Sequence, residues 1–190
     1  MLFQFVQVVY WLALSSWFGG ALFIAAAAQI IFRTLREYNP ILPQVLSVNL
    51  EGQHSILLGG SILGNLVVML WRWGLLCAVL LGITICSQWF VLNVNDSWVR
   101  ASLFVRSGLL VGAVGVVVYD WRFVWPKAWK YRKEFIDNAD EPDTANPARE
   151  LFERYQRESF LLLNVLVFFL LGIILFSGGI TQATTLIMEH

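Results

Sequence analysis

Long stretches of apolar sequence without a charged side chain constrain this chain more than any other feature. The first extends from Met1 to Phe32, and another extends from Ser159 to Ser177. About 20 apolar residues suffice to cross the roughly 30 Å hydrocarbon core of a bilayer as an α-helix. Hydrophobic residues make up 58% of the 190 residues and charged residues only 14%, whereas about a quarter of the residues of a soluble domain are charged. These features predict an all-α integral membrane protein.

Five segments are long and apolar enough, or nearly so, to span the bilayer. The chain is therefore predicted to be a single membrane domain over residues 1–190, built as a bundle of five transmembrane helices. The predicted spans are residues 5–32, 53–71, 73–94, 99–125 and 159–177. Only the sequence WRWG separates the second span from the third. Arg72 between two tryptophans, with Gly74 behind them, is typical of a hairpin turn at the membrane surface.

Basic residues are concentrated in one region, which predicts the orientation of the chain. Of the 13 lysines and arginines, eight lie between Tyr119 and Glu158, and the positive-inside rule therefore assigns residues 126–158 to the cytoplasm. With five spans, the N-terminus is also cytoplasmic, the C-terminus is outside, and Arg33 and Arg36 oppose the rule on the outer side. The membrane is expected to be a plasma membrane or an inner, energy-transducing one.

The segments between the spans carry two further signals. Asn146 followed by Pro147 predicts a helix start, because a side-chain cap precedes a residue whose backbone suits the first turn. The last helix is therefore predicted to begin in the cytoplasm and to continue into the membrane without a break. Residues 38–53 either form a short amphipathic helix on the outer surface or extend the second span.

Small and polar residues inside the spans predict how the helices pack. Lipid tails are as apolar as leucine, so membrane helices associate through close contact and polar pairs. Small residues four apart mark faces at which a neighbouring backbone can approach, and the predicted packing glycines are Gly19, Gly20, Gly60, Gly64, Gly108 and Gly112. The predicted intramembrane polar residues are Gln29, Asn65, Arg106 and Asn164. Arg106 either makes an internal polar contact or extends its side chain to the headgroups.

His54 is the only histidine before the last residue of the chain, and it lies at the start of an apolar, glycine-rich run. A haem or copper site in a helical bundle generally needs two or more converging ligands. Neither Met69 nor His190 suits that position within one chain. His54 is therefore interpreted as a polar residue at the membrane surface, with haem or copper binding as the alternative. No metal site and no cofactor is predicted.

No group of residues in the sequence is typical of catalysis. The sequence contains no Ser/His/Asp set, no glycine-rich phosphate loop and no Cys/His cluster with metal-ligand spacing. Its formal net charge is zero, which offers no electrostatic argument for nucleic-acid partners. The chain is therefore predicted not to be an enzyme. Its expected partners are the lipid bilayer and other membrane-protein chains or further copies of itself.

Four motifs follow one another along the chain: WFGGALFIAAAAQIIFRTL at the end of the first span, HSILLGG in the second, VWPKAWKYR after the fourth and LFERYQRESFLLLN in the last helix. In this order they resemble the transmembrane-protein-205-like family, which consists of small helical membrane proteins with a domain of unknown function. The residues that match the family pattern are Trp17, Phe32, Arg33, His54, Gly59, Gly60, Pro126, Lys127, Arg132, Phe152, Arg154, Ser159, Asn164 and Gly172.

The resemblance implies a core of four transmembrane helices and a distant relation to copper-resistance-D-like bundles, but no activity. Two features depart from the family pattern. Gln156 stands where the family has a histidine at the head of the last helix, which weakens the cofactor interpretation of His54. The segment 73–94 becomes an added fifth span.

Three functions follow from these residues as hypotheses. The first is a non-catalytic accessory or structural subunit that packs against partner membrane proteins or against itself. The alternative is a transport or permeation protein for a small solute or metal, with a path lined by Gln29, His54, Asn65, Arg106 or Asn164. The second alternative is the binding of haem or copper through His54.

Overall fold

The computed structural model describes residues 2–38, 54–91, 97–138 and 141–188. Within these ranges the chain is helical apart from short connections and contains no strand, which confirms the all-α prediction for this part of the chain. The helices are α1 (Leu2–Tyr38), α2 (His54–Val91), α3 (Ser97–Tyr119), α4 (Trp125–Asp137) and α5 (Pro142–Met188), and a π-helical turn over Asp120–Val124 joins α3 to α4.

Four helical stretches in the described ranges are long and apolar enough to cross a membrane: Gln4–Leu35, Leu58–Phe90, Ser97–Asp137 and Asp143–Gly178. This length and composition are compatible with a membrane location. The prediction of five spans is wrong, because the predicted spans 53–71 and 73–94 belong to the single continuous helix α2.

Gly74 explains the error in the span count. An isolated glycine costs a helix only about 1 kcal/mol relative to alanine, and here the absence of a side chain serves packing. A Cβ atom at position 74 would lie 2.5 Å from Nε1 of Trp17. The adjacent Trp73 donates a hydrogen bond from Nε1 to Oγ of Ser16 at 2.9 Å. The sequence WRWG therefore marks a contact between α2 and α1 and not a turn.

Pro126 accounts for the π-helical turn. A proline inside an α-helix lacks its N–H group, and its ring clashes with the carbonyl group four residues earlier. A single π-helical turn widens the helix before such a residue. Over Asp120–Val124 the backbone adopts this wider turn, and the N–H of Trp125 bonds to the carbonyl of Asp120. The result is that α4 continues directly from α3.

The region 126–158 contains α4, a short connection and the first part of α5. The helix starts at Pro142 and not at the predicted Asn146, because Pro142 suits a first turn as well as Pro147 does. The N–H groups of Thr144 and Ala145 bond to the carbonyl of Glu141 at 3.1 and 2.9 Å. From there α5 runs to Met188 without interruption. The alternatives for residues 38–53 fall on residues 39–53, which lie outside the described ranges.

The chain divides into two compact units. Unit 1 comprises Met1–Ala21, Leu70–Val117 and Val165–His190. Parts of α1, α2, α3 and α5 pack in this unit around large, fully buried side chains, among them Leu14, Trp17, Leu81, Leu103, Leu170 and Ile173. Phe90 and Phe168 lie on its surface, 91% and 72% exposed. Such apolar surface suits contact with lipid tails.

Unit 2 comprises Leu22–Met69 and Val118–Asn164. It contains the second part of α1, the first part of α2, the π-helical turn, α4 and the first part of α5. Its buried side chains include Leu63, Val124, Phe135, Phe152 and Leu163. The single membrane domain over residues 1–190 remains a prediction.

Candidate functional site

A buried arginine lies in the interior of unit 1. Arg106 is 1% exposed, as is Ser177, and Tyr10 is fully buried. Nε of Arg106 donates to Oη of Tyr10 at 3.2 Å, and the guanidinium carbon lies 4.5 Å from the centre of the tyrosine ring. These contacts hold the cation by a hydrogen bond and by the negative face of the ring. Of the two alternatives for Arg106, the structure therefore has the internal polar contact.

The hydroxyl groups around Arg106 form an ordered chain of donors and acceptors. Oγ of Ser177 donates to the carbonyl of Ile173 at 2.5 Å, so the bond of 2.6 Å between Tyr10 and Ser177 uses the proton of the tyrosine. The oxygen of Tyr10 is thereby left to accept from Arg106. In this series of hydrogen bonds each hydroxyl proton has one acceptor. The arrangement holds the phenol of Tyr10 beside the guanidinium of Arg106.

Further polar side chains are buried in unit 1. Nε2 of Gln88 donates to Oε1 of Gln7 at 3.3 Å, and Oγ of Ser102 donates to the carbonyl of Phe176 at 2.7 Å. Nη2 of Arg106 and Oε1 of Gln88 are buried, and no described residue lies within hydrogen-bonding distance of either atom. Unit 1 therefore has a polar interior to which α1, α2, α3 and α5 all contribute.

The described residues of unit 1 carry positive charge only. They include Arg72, Arg100 and Arg106 and contain no aspartate or glutamate. Arg106 is buried, whereas Arg72 and Arg100 are exposed. Arg72 is flanked on the surface of α2 by Trp73 and Leu76, which are 48% and 51% exposed. No described residue pairs with the Arg72 guanidinium.

We expect the Tyr10→Phe variant to lower the free energy of unfolding by about 1–3 kcal/mol, because it leaves Nε of a buried arginine without its acceptor. The matched control is Tyr119→Phe. Oη of Tyr119 donates to Glu158 at 3.3 Å on an exposed surface, and a surface change of this kind costs about 0.5 kcal/mol or less. Unfolding by sodium dodecyl sulfate in mixed micelles measures both. Equal losses in the two variants would contradict the proposed support of Arg106 by Tyr10.

Unit 2 contains a small cavity of about 30 Å³, room for about one water molecule. Its walls are mostly apolar, and its polar atoms come from Arg132, Gln156 and Ser159. Nη2 of Arg132 donates to Oγ of Ser61 at 2.6 Å, and its guanidinium carbon lies 5.0 Å from the ring centre of Trp129. The guanidinium is therefore held by a hydroxyl and an aromatic ring at the edge of the cavity.

Asp120, in the π-helical turn, is 4% exposed. Its Oδ2 accepts a hydrogen bond from Oγ of Ser159 at 2.9 Å. The wider turn thus directs one carboxylate into unit 2 and joins it to α5. Four of the residues that match the family-like pattern, Gly60, Arg132, Phe152 and Ser159, line the same cavity, as does Gln156.

An open groove of about 550 Å³ also lies in unit 2. Two of the predicted polar residues, Gln29 and Asn164, line it together with Ala25, Ala26 and Phe160. Nδ2 of Asn164 donates to the carbonyl of Phe160 in its own helix at 2.9 Å. Gln29 has no hydrogen-bond partner among the described residues, and both amides are exposed.

The other predicted residues are dispersed. Asn65 is exposed on α2, and Arg33 forms an exposed ion pair with Glu37 at 3.1 Å. Arg154 is exposed on α5, and the ring of Phe32 lies 6.2 Å from that of Phe160. The structure therefore brings only some of the motif residues together at one site.

The predicted packing glycines differ in their surroundings. A Cβ atom at Gly60 or Gly64 would clash, at 2.8 Å from Gln156 or 2.2 Å from Trp125. At Gly20 and Gly112 it would be 3.3 and 3.1 Å from the nearest side-chain atom, and at Gly19 and Gly108 it would meet nothing within 4 Å.

His54 is the first residue of α2, and its side chain lies outside the described part of the structure, as does His190. Haem or copper binding through His54 therefore stays a prediction. Among the described residues, no three or more His, Cys, Asp or Glu side chains are grouped so that they could hold a metal ion.

Sequence reasoning identified Arg106 but missed Tyr10 and Ser177. Tyr10 lies 96 residues from Arg106 along the chain, so no local pattern links the two residues. The signal that the sequence does carry is a phenol and a hydroxyl within otherwise apolar spans.

None of the family models, curated proteins and solved structures that were compared with the chain matches it.

Proposed function

We propose that this protein is a non-catalytic accessory subunit of a membrane-protein assembly. In this proposal the surface of α2 around Arg72 binds a transmembrane helix of a partner protein that presents a carboxylate. The observation that carries the proposal is the exposed guanidinium of Arg72 halfway along an apolar helix. Charged residues in transmembrane segments almost always face a protein interior or a water-filled cavity and pair with an opposite charge.

Two observations give the position of Arg72 along the apolar helices. His54 and Val91 are the ends of α2, and Arg72 lies midway between them, with about 27 Å of helix on each side. The adjacent Trp73 bonds to Ser16, which lies about halfway along the uncharged part of α1. The hydrocarbon core is about 30 Å thick and therefore covers only part of α2, and the proposal takes that part to include Arg72.

The chemistry of this position supports a different chain as the partner. An arginine at the centre of a membrane helix costs at least about 2.5–3.5 kcal/mol, and a lipid tail offers it no hydrogen bond. Residues 1–32, 52–95, 97–119 and 159–188 contain no aspartate or glutamate. Within these ranges a second copy of the chain offers no carboxylate. Asp120, which lies in the candidate span Ser97–Asp137, is buried and accepts a hydrogen bond from Ser159. A partner helix with one glutamate or aspartate at this depth would form an ion pair with the guanidinium of Arg72.

The orientation is part of the proposal. With four spans, the end of α1 lies on the same side as the region between α4 and α5, so Arg33 and Arg36 join the eight basic residues that follow Tyr119. Ten cations then face Arg100 alone on the opposite side, with Arg72 and Arg106 inside the spans. By the positive-inside rule this side is cytoplasmic, and the first residues of α1 lie outside, in a plasma or inner membrane.

We expect Arg72→Gln to release the partner protein. The full-length chain is extracted from its native membrane in a mild detergent, and native mass spectrometry measures what remains bound. The wild-type particle should exceed the 21.6 kDa chain by the mass of a second polypeptide in fixed stoichiometry. Arg72→Gln should reduce the bound fraction at least tenfold, which corresponds to about 1.4 kcal/mol. Arg100→Gln, an exposed arginine of the same unit, is the matched control and should keep the partner.

A designed peptide tests the chemistry of the contact directly. A leucine-rich transmembrane peptide of about 24 residues carries either Glu or Gln at its centre, and energy transfer in vesicles measures its association with the protein. The Glu peptide should bind wild type at least tenfold more tightly than the Gln peptide, and Arg72→Gln should abolish the difference. The proposal would be overturned if the wild-type protein is extracted from its membrane alone or only with copies of itself. It would also be overturned if Arg72→Gln retains the partner.

Transport of a small solute is the second proposal. It is favoured by the groove in unit 2, which is lined by the amides of Gln29 and Asn164 and by the neighbouring alanines. The test is uptake into vesicles that contain the purified protein, with Ala26→Phe to fill the groove. Ala101→Phe, at an exposed alanine of α3, is the matched control. Uptake that is unaffected by Ala26→Phe would count against the groove.

A further inference from the structure

We infer that unit 1 binds a small monovalent inorganic anion, of the size of chloride, at the guanidinium of Arg106. This inference goes beyond the accessory-subunit proposal and does not depend on it. It joins three observations: an arginine that is 1% exposed, a buried Nη2 atom without a described partner, and a unit whose described residues contain no carboxylate.

Among the described residues, the charge of Arg106 has no counter-ion. Arginine stays charged in proteins and has five N–H donors. The contacts to Tyr10 occupy Nε and one face of the guanidinium, and they bring hydroxyl and ring dipoles but no negative charge. Removing an ion from water costs several kcal/mol unless an opposite charge and further hydrogen bonds compensate. An anion at Nη2 provides both.

The surroundings of Arg106 select the class of anion. Arg106 is 1% exposed in an interior that combines polar groups with large apolar side chains, and a bulky organic acid would have to displace those side chains. A divalent anion would carry a second charge that no described group balances, and its removal from water costs more. A monovalent anion of the halide type leaves a neutral pair with Arg106. A water molecule could accept a hydrogen bond from Nη2, but it brings no charge.

Salt exchange at constant ionic strength tests this inference. The full-length protein in detergent is heated in sodium chloride or in sodium gluconate, whose anion is too large for the site, and tryptophan fluorescence reports unfolding. A ligand that binds only the folded state raises its stability with concentration. At about ten times the dissociation constant, we expect the Tm to be about 3 °C higher in chloride. Equilibrium dialysis with radiolabelled chloride should find one anion bound per chain.

Arg106→Gln should remove both the bound chloride and the chloride dependence of the Tm. Arg100→Gln, at an exposed arginine of the same unit, should leave both unchanged. If Arg106→Gln does not fold, Arg106→Lys decides, because it keeps the charge but loses the planar donor set. We expect it to bind chloride about tenfold more weakly. Equal Tm values in the two salts together with no chloride bound to wild type would overturn the inference, whatever the outcome of the partner experiments at Arg72.

Discussion

Trp17→Ala will lower the free energy of unfolding by about 3–5 kcal/mol, the usual cost of removing a large aromatic side chain from a packed core. Trp17 is fully buried, and it occupies the space beside α2 that Gly74 leaves open. Alanine would leave a cavity between α1 and α2 within unit 1. Because these two helices meet at this point without a turn to connect them, nothing local can refill the space.

The matched control is Trp121→Ala, since Trp121 is 54% exposed and its removal leaves no cavity. We expect a loss of about 0.5 kcal/mol. Unfolding by sodium dodecyl sulfate in mixed micelles, followed by circular dichroism, compares the two variants with wild type. A Trp17→Ala variant as stable as Trp121→Ala would show that α1 and α2 do not meet at Gly74.

Gly64→Ala will be about 1–3 kcal/mol less stable than Gly82→Ala, although both replace a glycine of the same helix. Both variants gain the same helix propensity of about 1 kcal/mol. A Cβ atom at position 64 would lie 2.2 Å from Cη2 of Trp125, whereas at position 82 it would meet nothing within 4 Å. The extra methyl group forces the indole ring of Trp125 to move, and overpacking of this size costs about 1–3 kcal/mol.

The movement of Trp125 has a second readout. Its ring is stacked on that of Trp129 at 6.1 Å, and it lines the cavity in unit 2. The near-ultraviolet circular dichroism of the tryptophans should therefore change in Gly64→Ala and not in Gly82→Ala. Equal stability and equal spectra of the two variants would contradict the close contact between α2 and α4.

The span count illustrates how far pattern reasoning extends. The apolar character of residues 53–94 is evident from the sequence, because hydrophobicity is a property of each segment by itself. The division at Gly74 was wrong, since a glycine beside tryptophans is found both in turns and in tight helix contacts. Only the position of Trp17 distinguishes the two cases, and Trp17 lies more than fifty residues earlier in the chain.

Arg72 and Arg106, in the apolar parts of α2 and α3, make the same point about the sites. The sequence pattern predicts a surface turn at Arg72 and leaves two environments open for Arg106. In the structure Arg72 is exposed on a continuous helix, while Arg106 is buried beside Tyr10 and Ser177. The direction in which each side chain points depends on the rotation of its helix against neighbours from distant parts of the chain. The rotation of a helix about its axis cannot be predicted from a local pattern here, because an apolar helix has similar residues on its buried and exposed faces.

The sequence by itself determined the all-helical class of this protein and the apolar character of its long segments, because length and hydrophobicity decide whether a stretch of chain suits a bilayer. It did not determine their number, since the five predicted spans are four helices in the described structure. The tertiary structure alone decided which glycine serves a contact, which arginine is buried and which is exposed. These depend on packing between residues that are far apart in the chain, and such packing is a property of the whole fold.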